Sequence, residues 1–115
     1  MGGAGRALRA RTEDGITSSL NNGGTGTQAM GDAAQRPAVS VHQCGVIVTT
    51  GALTANRHLT LPQATDADAY GKWIDNTCTG AFSVVVRQST GVTVSVPNGT
   101  KAYVWLDSRG VTKLT

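Results

Sequence analysis

Aromatic side chains are scarce in this chain: one Phe, two Tyr and two Trp among 115 residues. A core must therefore be built from aliphatic side chains, and each ring becomes conspicuous. Charge is scarce as well, at 15% of residues with a net +3. The basic residues do not run together. Their densest group, Arg6, Arg9 and Arg11, is followed at once by Glu13 and Asp14. A nucleic-acid binder carries a more basic, one-sided footprint, so no nucleic-acid role is expected. No apolar run approaches the ~20 residues of a helical membrane span. The opening Met1-Gly-Gly-Ala-Gly-Arg6 lacks the apolar stretch of a secretion signal. Arg6 also occupies the position where a myristoylation motif wants Ser or Thr. Synthesis in a cytoplasm, with no membrane partner, is the expectation. Only two cysteines occur, Cys44 and Cys78. One disulfide is compatible with them, but in a cytoplasmic product two free, partly buried thiols are the favoured reading.

What the chain does have is Gly, Thr and Ser between short β-branched runs. Residues 1–36 hold eight of the fifteen glycines. The segment Asn21-Asn-Gly-Gly-Thr-Gly-Thr27 has no side chain suited to anchoring a core and reads as flexible. Ile16 and Leu20, at i and i+4, form a small apolar anchor, joined by the isolated Leu8 and Met30. Residues 1–36 are thus expected to be an extended arm that docks on a partner through Arg6, Leu8, Arg9, Arg11, Ile16 and Leu20. Arg36-Pro37 marks the boundary, because proline disfavours helix at the residue before it.

From residue 37 onward the pattern is that of strands. Val39 to Thr49 alternates and is interrupted at Gly45, which suggests a bend. His58 to Leu61, a strand opening at Trp73-Ile74, Phe82 to Arg87, Val92 to Val96, Ala102 to Leu106 and Val111 to Leu114 follow. Pro97-Asn98-Gly99 is a hairpin signal. The expected fold is all-β: a small antiparallel sandwich or barrel of about seven short strands over residues 37–115, preceded by the glycine-rich arm. Phe82, Val84, Val86, Leu59, Leu61 and Tyr103 or Trp105 are the expected core. A unit of about 79 residues is marginal alone, which makes oligomerisation a natural remedy. Ala102 to Leu106 is apolar on both faces, so it is either a central strand or a subunit contact made by Tyr103, Val104, Trp105 and Leu106.

Chemistry finds little support. Cys44 or Cys78, His42 or His58, and Asp75 or Asp107 form no recognisable catalytic spacing. The same cysteines and histidines do not match zinc-ligand pairs. Asp66 and Asp68 lack the further carboxylates of a calcium loop. Asn98-Gly99-Thr100 has the form of a glycosylation acceptor, but the turn explains it. Trp73, Tyr103 and Trp105 are candidates for a carbohydrate-stacking platform, with core and interface packing the favoured alternative. No catalytic, cofactor or metal residue is assigned.

The order Thr50-Gly-Ala-Leu-Thr-Ala-Asn-Arg-His-Leu-Thr-Leu-Pro62, Lys72-Trp73 through Gly80-Ala-Phe-Ser-Val-Val-Val86, and Gly91-Val-Thr-Val-Ser-Val-Pro-Asn-Gly99 through Asp107 resembles a β module of tailed-bacteriophage virion proteins. Such modules occur in tail-fibre, head-fibre and capsid-decoration proteins. The likeness covers roughly Thr50 to Leu114, and Cys78 within a turn departs from it. It implies a non-enzymatic virion component, often homotrimeric, whose partner is the major capsid protein or another virion protein. Running only 115 residues from Met1, the chain is expected to be a capsid decoration (cement) or head-fibre protein. A tail-associated module that binds host glycans is the alternative.

Overall fold

The computed structural model describes residues 24–115. Eight strands lie among them: β1 (Thr25–Ala29), β2 (Val46–Thr50), β3 (Arg57–Thr60), β4 (Tyr70–Asn76), β5 (Val84–Arg87), β6 (Val94–Val96), β7 (Lys101–Asp107) and β8 (Gly110–Lys113). One helical turn, α1 (Val39–His42), is the only helix among the described residues. A larger sheet has the order β1-β2-β4-β7-β8, and a smaller one β3-β5-β6. The all-β class holds. The purely antiparallel pairing does not: β1–β2, β2–β4 and β3–β5 are parallel, while β4–β7, β5–β6 and β7–β8 are antiparallel.

One core lies between the sheets. Ile47, Ile74, Ala102, Val104, Leu106 and Val111 come from the larger sheet, and Leu59, Val84, Val86 and Val96 from the smaller. Leu59, Leu61, Val84 and Val86 are fully buried as expected, and Phe82 packs against them partly buried. Tyr103 and Trp105 are not core residues, because their strand turns Ala102, Val104 and Leu106 inward instead. Strand alternation allows only one of these two sets inside.

The turn at Pro97-Asn98-Gly99 closes no hairpin. It carries the chain from β6 in the smaller sheet to β7 in the larger. Buried Asn76 ties the two sheets together there. Its amide donates to the Val96 carbonyl at 2.8 Å, its side-chain oxygen accepts from the Cys78 amide, and its own carbonyl accepts from Gly99 N at 2.8 Å. At the other end the sheets meet where Val92 bridges Gly110. Gly110 has φ 128°, and a Cβ there would strike the Val92 backbone, so only glycine serves.

Two segments differ from the sequence reading. Residues 24–36 belong to the folded unit rather than to an arm. Thr25–Ala29 pairs residue by residue with Val46–Thr50, Met30 is fully buried, and Gln35 bridges Leu59. Asp32 fastens this stretch. Its carboxylate accepts from Thr54 N at 2.8 Å, Thr54 Oγ1 at 2.7 Å and Arg57 Nε at 3.0 Å. Those bonds hold its carboxyl down at about 2. Secondly, Val39 to His42 is a helical turn rather than a strand, with Val39 60% exposed. Here Val41 and Cys44 pack over Gly26, a contact that the local alternation could not reveal. Residues 1–23, with Arg6, Leu8, Arg9, Arg11, Ile16 and Leu20, lie outside the described residues.

Candidate functional site

β4 and β7 form the middle of the larger sheet, and their register decides what its outer face displays. Trp73 pairs with Tyr103, and Gly71 with Trp105. All three rings therefore stand on one side, opposite the core. Trp73 and Tyr103 pack with ring centroids 5.2 Å apart, tilted by 59°, within the range of favourable edge-to-face geometry. Gly71 supplies the room for this. A Cβ at that position would run into the Tyr103 hydroxyl, so the tyrosine ring lies across the glycine. Trp73 remains 38% exposed and Trp105 37%.

Around the rings the face is sparsely charged. Half-buried Val46 adjoins Trp73, and Val48 adjoins Asp75. Asp75 and Lys101 sit opposite one another, 3.9 Å apart. Such an exposed pair adds little stability, but it places one anion and one cation beside the aromatic strip. A flat aromatic surface with a few polar groups at its margin can bind by stacking and desolvation. It carries no nucleophile paired with a base.

The expected contact Tyr103-Val104-Trp105-Leu106 is thus split. Tyr103 and Trp105 face outward, and Trp73 joins them. Val104 and Leu106 have no exposed surface and cannot meet a partner in the folded chain. Trp73 joins the site because alternation around buried Tyr70, Lys72 and Ile74 turns it outward.

Compared with family models, curated proteins and solved structures, the chain has no match. Its functional reading rests on its own residues.

On the opposite face of β4 lies Lys72, a residue that composition did not single out. It is 1% exposed. Its Nζ donates to the Cys44 carbonyl at 2.6 Å and lies 5.8 Å from the Tyr70 ring centroid, over its face. Burial pulls the ammonium down to about 8, partly offset by Cys44. His42, at the end of α1, is held low by burial and then by the Lys72 charge, and its Nδ1 is buried without a partner. The signal for Lys72 was the same alternation that turned Trp73 outward.

The remaining chemical candidates are scattered. Cys44 and Cys78 are free and buried. His58 is exposed on β3. Asp107 pairs with Arg109 at 3.1 Å, and Asp66 accepts from Ser108 Oγ at 2.6 Å. Among the described residues, no three His, Cys, Asp or Glu side chains gather as a metal group. Among them, too, no helix is long and apolar enough to cross a membrane.

Proposed function

We infer that this protein is a non-enzymatic structural subunit of a bacteriophage particle, of the capsid-decoration (cement) or head-fibre type. The observation that carries the reading is the outward Trp73–Tyr103–Trp105 strip on a sheet stiffened by a common core. A rigid unit that spends most of its rings on an outer face is suited to meeting another surface. The likeness of residues 50–114 to virion β modules supports the particle context. In this reading the N-terminal segment, with Arg6, Arg9, Arg11, Leu8, Ile16 and Leu20, grips the major capsid protein or another virion protein. The aromatic face then meets neighbouring copies in a homotrimer. Many modest contacts repeated over a symmetric shell give avidity without high affinity at any one of them.

A tail-associated role is the second reading, favoured by the exposure of both indoles beside Asp75 and Lys101, a surface suited to stacking on host glycans. One experiment separates the two. Capsids lacking the protein are incubated with the full chain, with a chain lacking residues 1–23, and with Trp73→Ala/Trp105→Ala, and occupancy is measured by cryo-EM. The decoration reading expects occupancy by the full chain and its loss on removing residues 1–23. Absence of the full chain from capsids, combined with saturable binding to host cells that the double tryptophan variant loses, would replace it with the tail reading.

A further inference from the structure

The turn that carries the chain from the smaller sheet to the larger holds a chemically reactive pair. Pro97, Asn98, Gly99 and Thr100 are all exposed. Thr100 closes the turn on Pro97: its N and its Oγ1 both donate to the Pro97 carbonyl, at 3.2 and 2.6 Å. Gly99 stands third in the turn with φ 76°, a left-handed place that glycine fills. Two further bonds fasten the turn to the end of β4. Gly99 N donates to the Asn76 carbonyl at 2.8 Å, and Asn76 N donates to the Thr100 carbonyl at 2.9 Å. Asn76 is itself buried, with its side chain on the Val96 carbonyl and the Cys78 amide. The exposed turn and the joint between the sheets therefore share one residue.

An asparagine followed by glycine is open to attack by its own backbone. Glycine puts no side chain beside the attacking nitrogen and leaves it free to rotate. The Gly99 nitrogen gives its proton to a solvent base and bonds to Asn98 Cγ, while Nδ2 leaves as ammonia. Water then opens the cyclic imide at either of its carbonyls. Cleavage of the new N–Cγ bond leaves an aspartate on an ordinary backbone. Cleavage of the original peptide bond leaves an isoaspartate, whose chain runs through Cβ and Cγ and is one atom longer. Either product adds a negative charge. The fold controls when this happens. In the closed turn the Gly99 N–H is engaged by the Asn76 carbonyl rather than free to be lost, and the imide nitrogen carries no hydrogen to renew that bond. Attack therefore waits on local opening of the turn.

We propose that Asn98-Gly99 is a site of spontaneous backbone rearrangement, latched by the Gly99–Asn76 hydrogen bond, whose isoaspartate product loosens the joint between the two sheets as the protein ages. The inserted chain atom displaces Gly99 N from the Asn76 carbonyl, and with it the clasp on β4. The proposal concerns the β6–β7 turn alone and does not depend on the particle reading.

The full chain is held in mildly alkaline buffer for weeks, and samples are digested with trypsin and weighed by mass spectrometry. Residues 88–101 form one tryptic fragment whose single asparagine is Asn98, and the chain's other Asn-Gly pair, Asn22-Gly23, falls in a different fragment. A free peptide of residues 88–101 is aged alongside. Both are expected to convert, with isoaspartate the larger product and the folded chain several-fold slower than the peptide. Thr100→Ala removes the hydroxyl bond that closes the turn, without touching the core, and is expected to narrow that gap. Asn98→Gln is expected to block the conversion, because its longer side chain closes a ring far more slowly. Aged chains separated by charge should melt below fresh ones, while Asn98→Gln aged alike should keep its melting temperature. An unmodified folded chain, after many times the period in which the peptide reacts fully, would overturn the site. Equal rates in folded chain and peptide would overturn the latch. An aged fraction that melts with fresh protein would overturn the link to the sheet joint.

Discussion

At the scale of the residue, Lys72 is the most consequential side chain after the rings. It is buried on the inner face of the sheet that displays them. An unfolded lysine titrates near 10.5, whereas burial brings Lys72 down to about 8. Between those values the unfolded chain binds the extra proton, so stability rises with pH. Each pH unit of that window is worth about 1.4 kcal/mol, giving a gain on the order of 2–3 kcal/mol between pH 8 and 10. Tyr70 acts in the opposite sense above its ordinary value of 10.0, since burial raises its phenol and the folded state keeps a proton that the unfolded state releases. Urea denaturation at pH 7, 8, 9 and 10 should therefore show stability climbing to near pH 10. In Lys72→Met the climb should be absent. A profile that climbs equally in both proteins would show that Lys72 is not its source. At the acidic end, His42 is held low, so the folded state loses stability as pH falls through the usual histidine range near 6.5.

At the scale of the element, β7 is a strand whose two faces have separate tasks. Leu106 and Trp105 are neighbours in sequence, one with no exposed surface and one 37% exposed. Leu106→Ala should cost about 2–5 kcal/mol through lost burial and the cavity left behind. Trp105→Ala should cost less, yet change fluorescence quenching and surface binding far more. Chemical denaturation of both variants checks the first half, and equal losses of stability would mean that Trp105 is held as a core residue after all. Much of this strand was legible in sequence: Ala102 to Leu106 reads as doubly apolar, and its central place between β4 and β8 agrees. Which face is buried was not legible, because Tyr-Val-Trp-Leu offers two equally apolar sets. β1 escaped notice for a different reason. Thr-Gly-Thr-Gln-Ala is a polar run, and as a strand it is specified by its pairing with β2 rather than by apolar alternation. Parallel pairing of β1, β2 and β4 was hidden for the same reason, since register partners far apart in sequence leave no local mark. At Val39 to His42, two valines two apart fit a strand, but the packing of Val41 over Gly26 selects one helical turn.

At the scale of the whole molecule, the contacts made by residues 24–36 decide what truncation does. Removing residues 1–36 takes away β1, buried Met30 and the Asp32 clasp together. Loss of the Met30 burial alone is worth roughly 2–5 kcal/mol, and the inner surface beneath α1 would be opened as well. Removing residues 1–23 leaves all of those contacts in place. The two truncations should therefore differ sharply in thermal melting, with the longer one strongly destabilised or unfolded relative to the shorter. Oligomeric state adds a second test. If the outer Trp73–Tyr103–Trp105 strip is the surface on which copies meet, the full chain should associate as concentration rises. The chain lacking residues 1–23 keeps Trp73, Tyr103 and Trp105 on its outer face, so it should associate in the same way. Trp73→Ala/Trp105→Ala in that truncated background should restore the monomer. Sedimentation velocity over a concentration series measures all three proteins. A full chain that is already trimeric, with a truncated chain that stays monomeric, would assign assembly to the N-terminal segment and leave the aromatic face for a different partner.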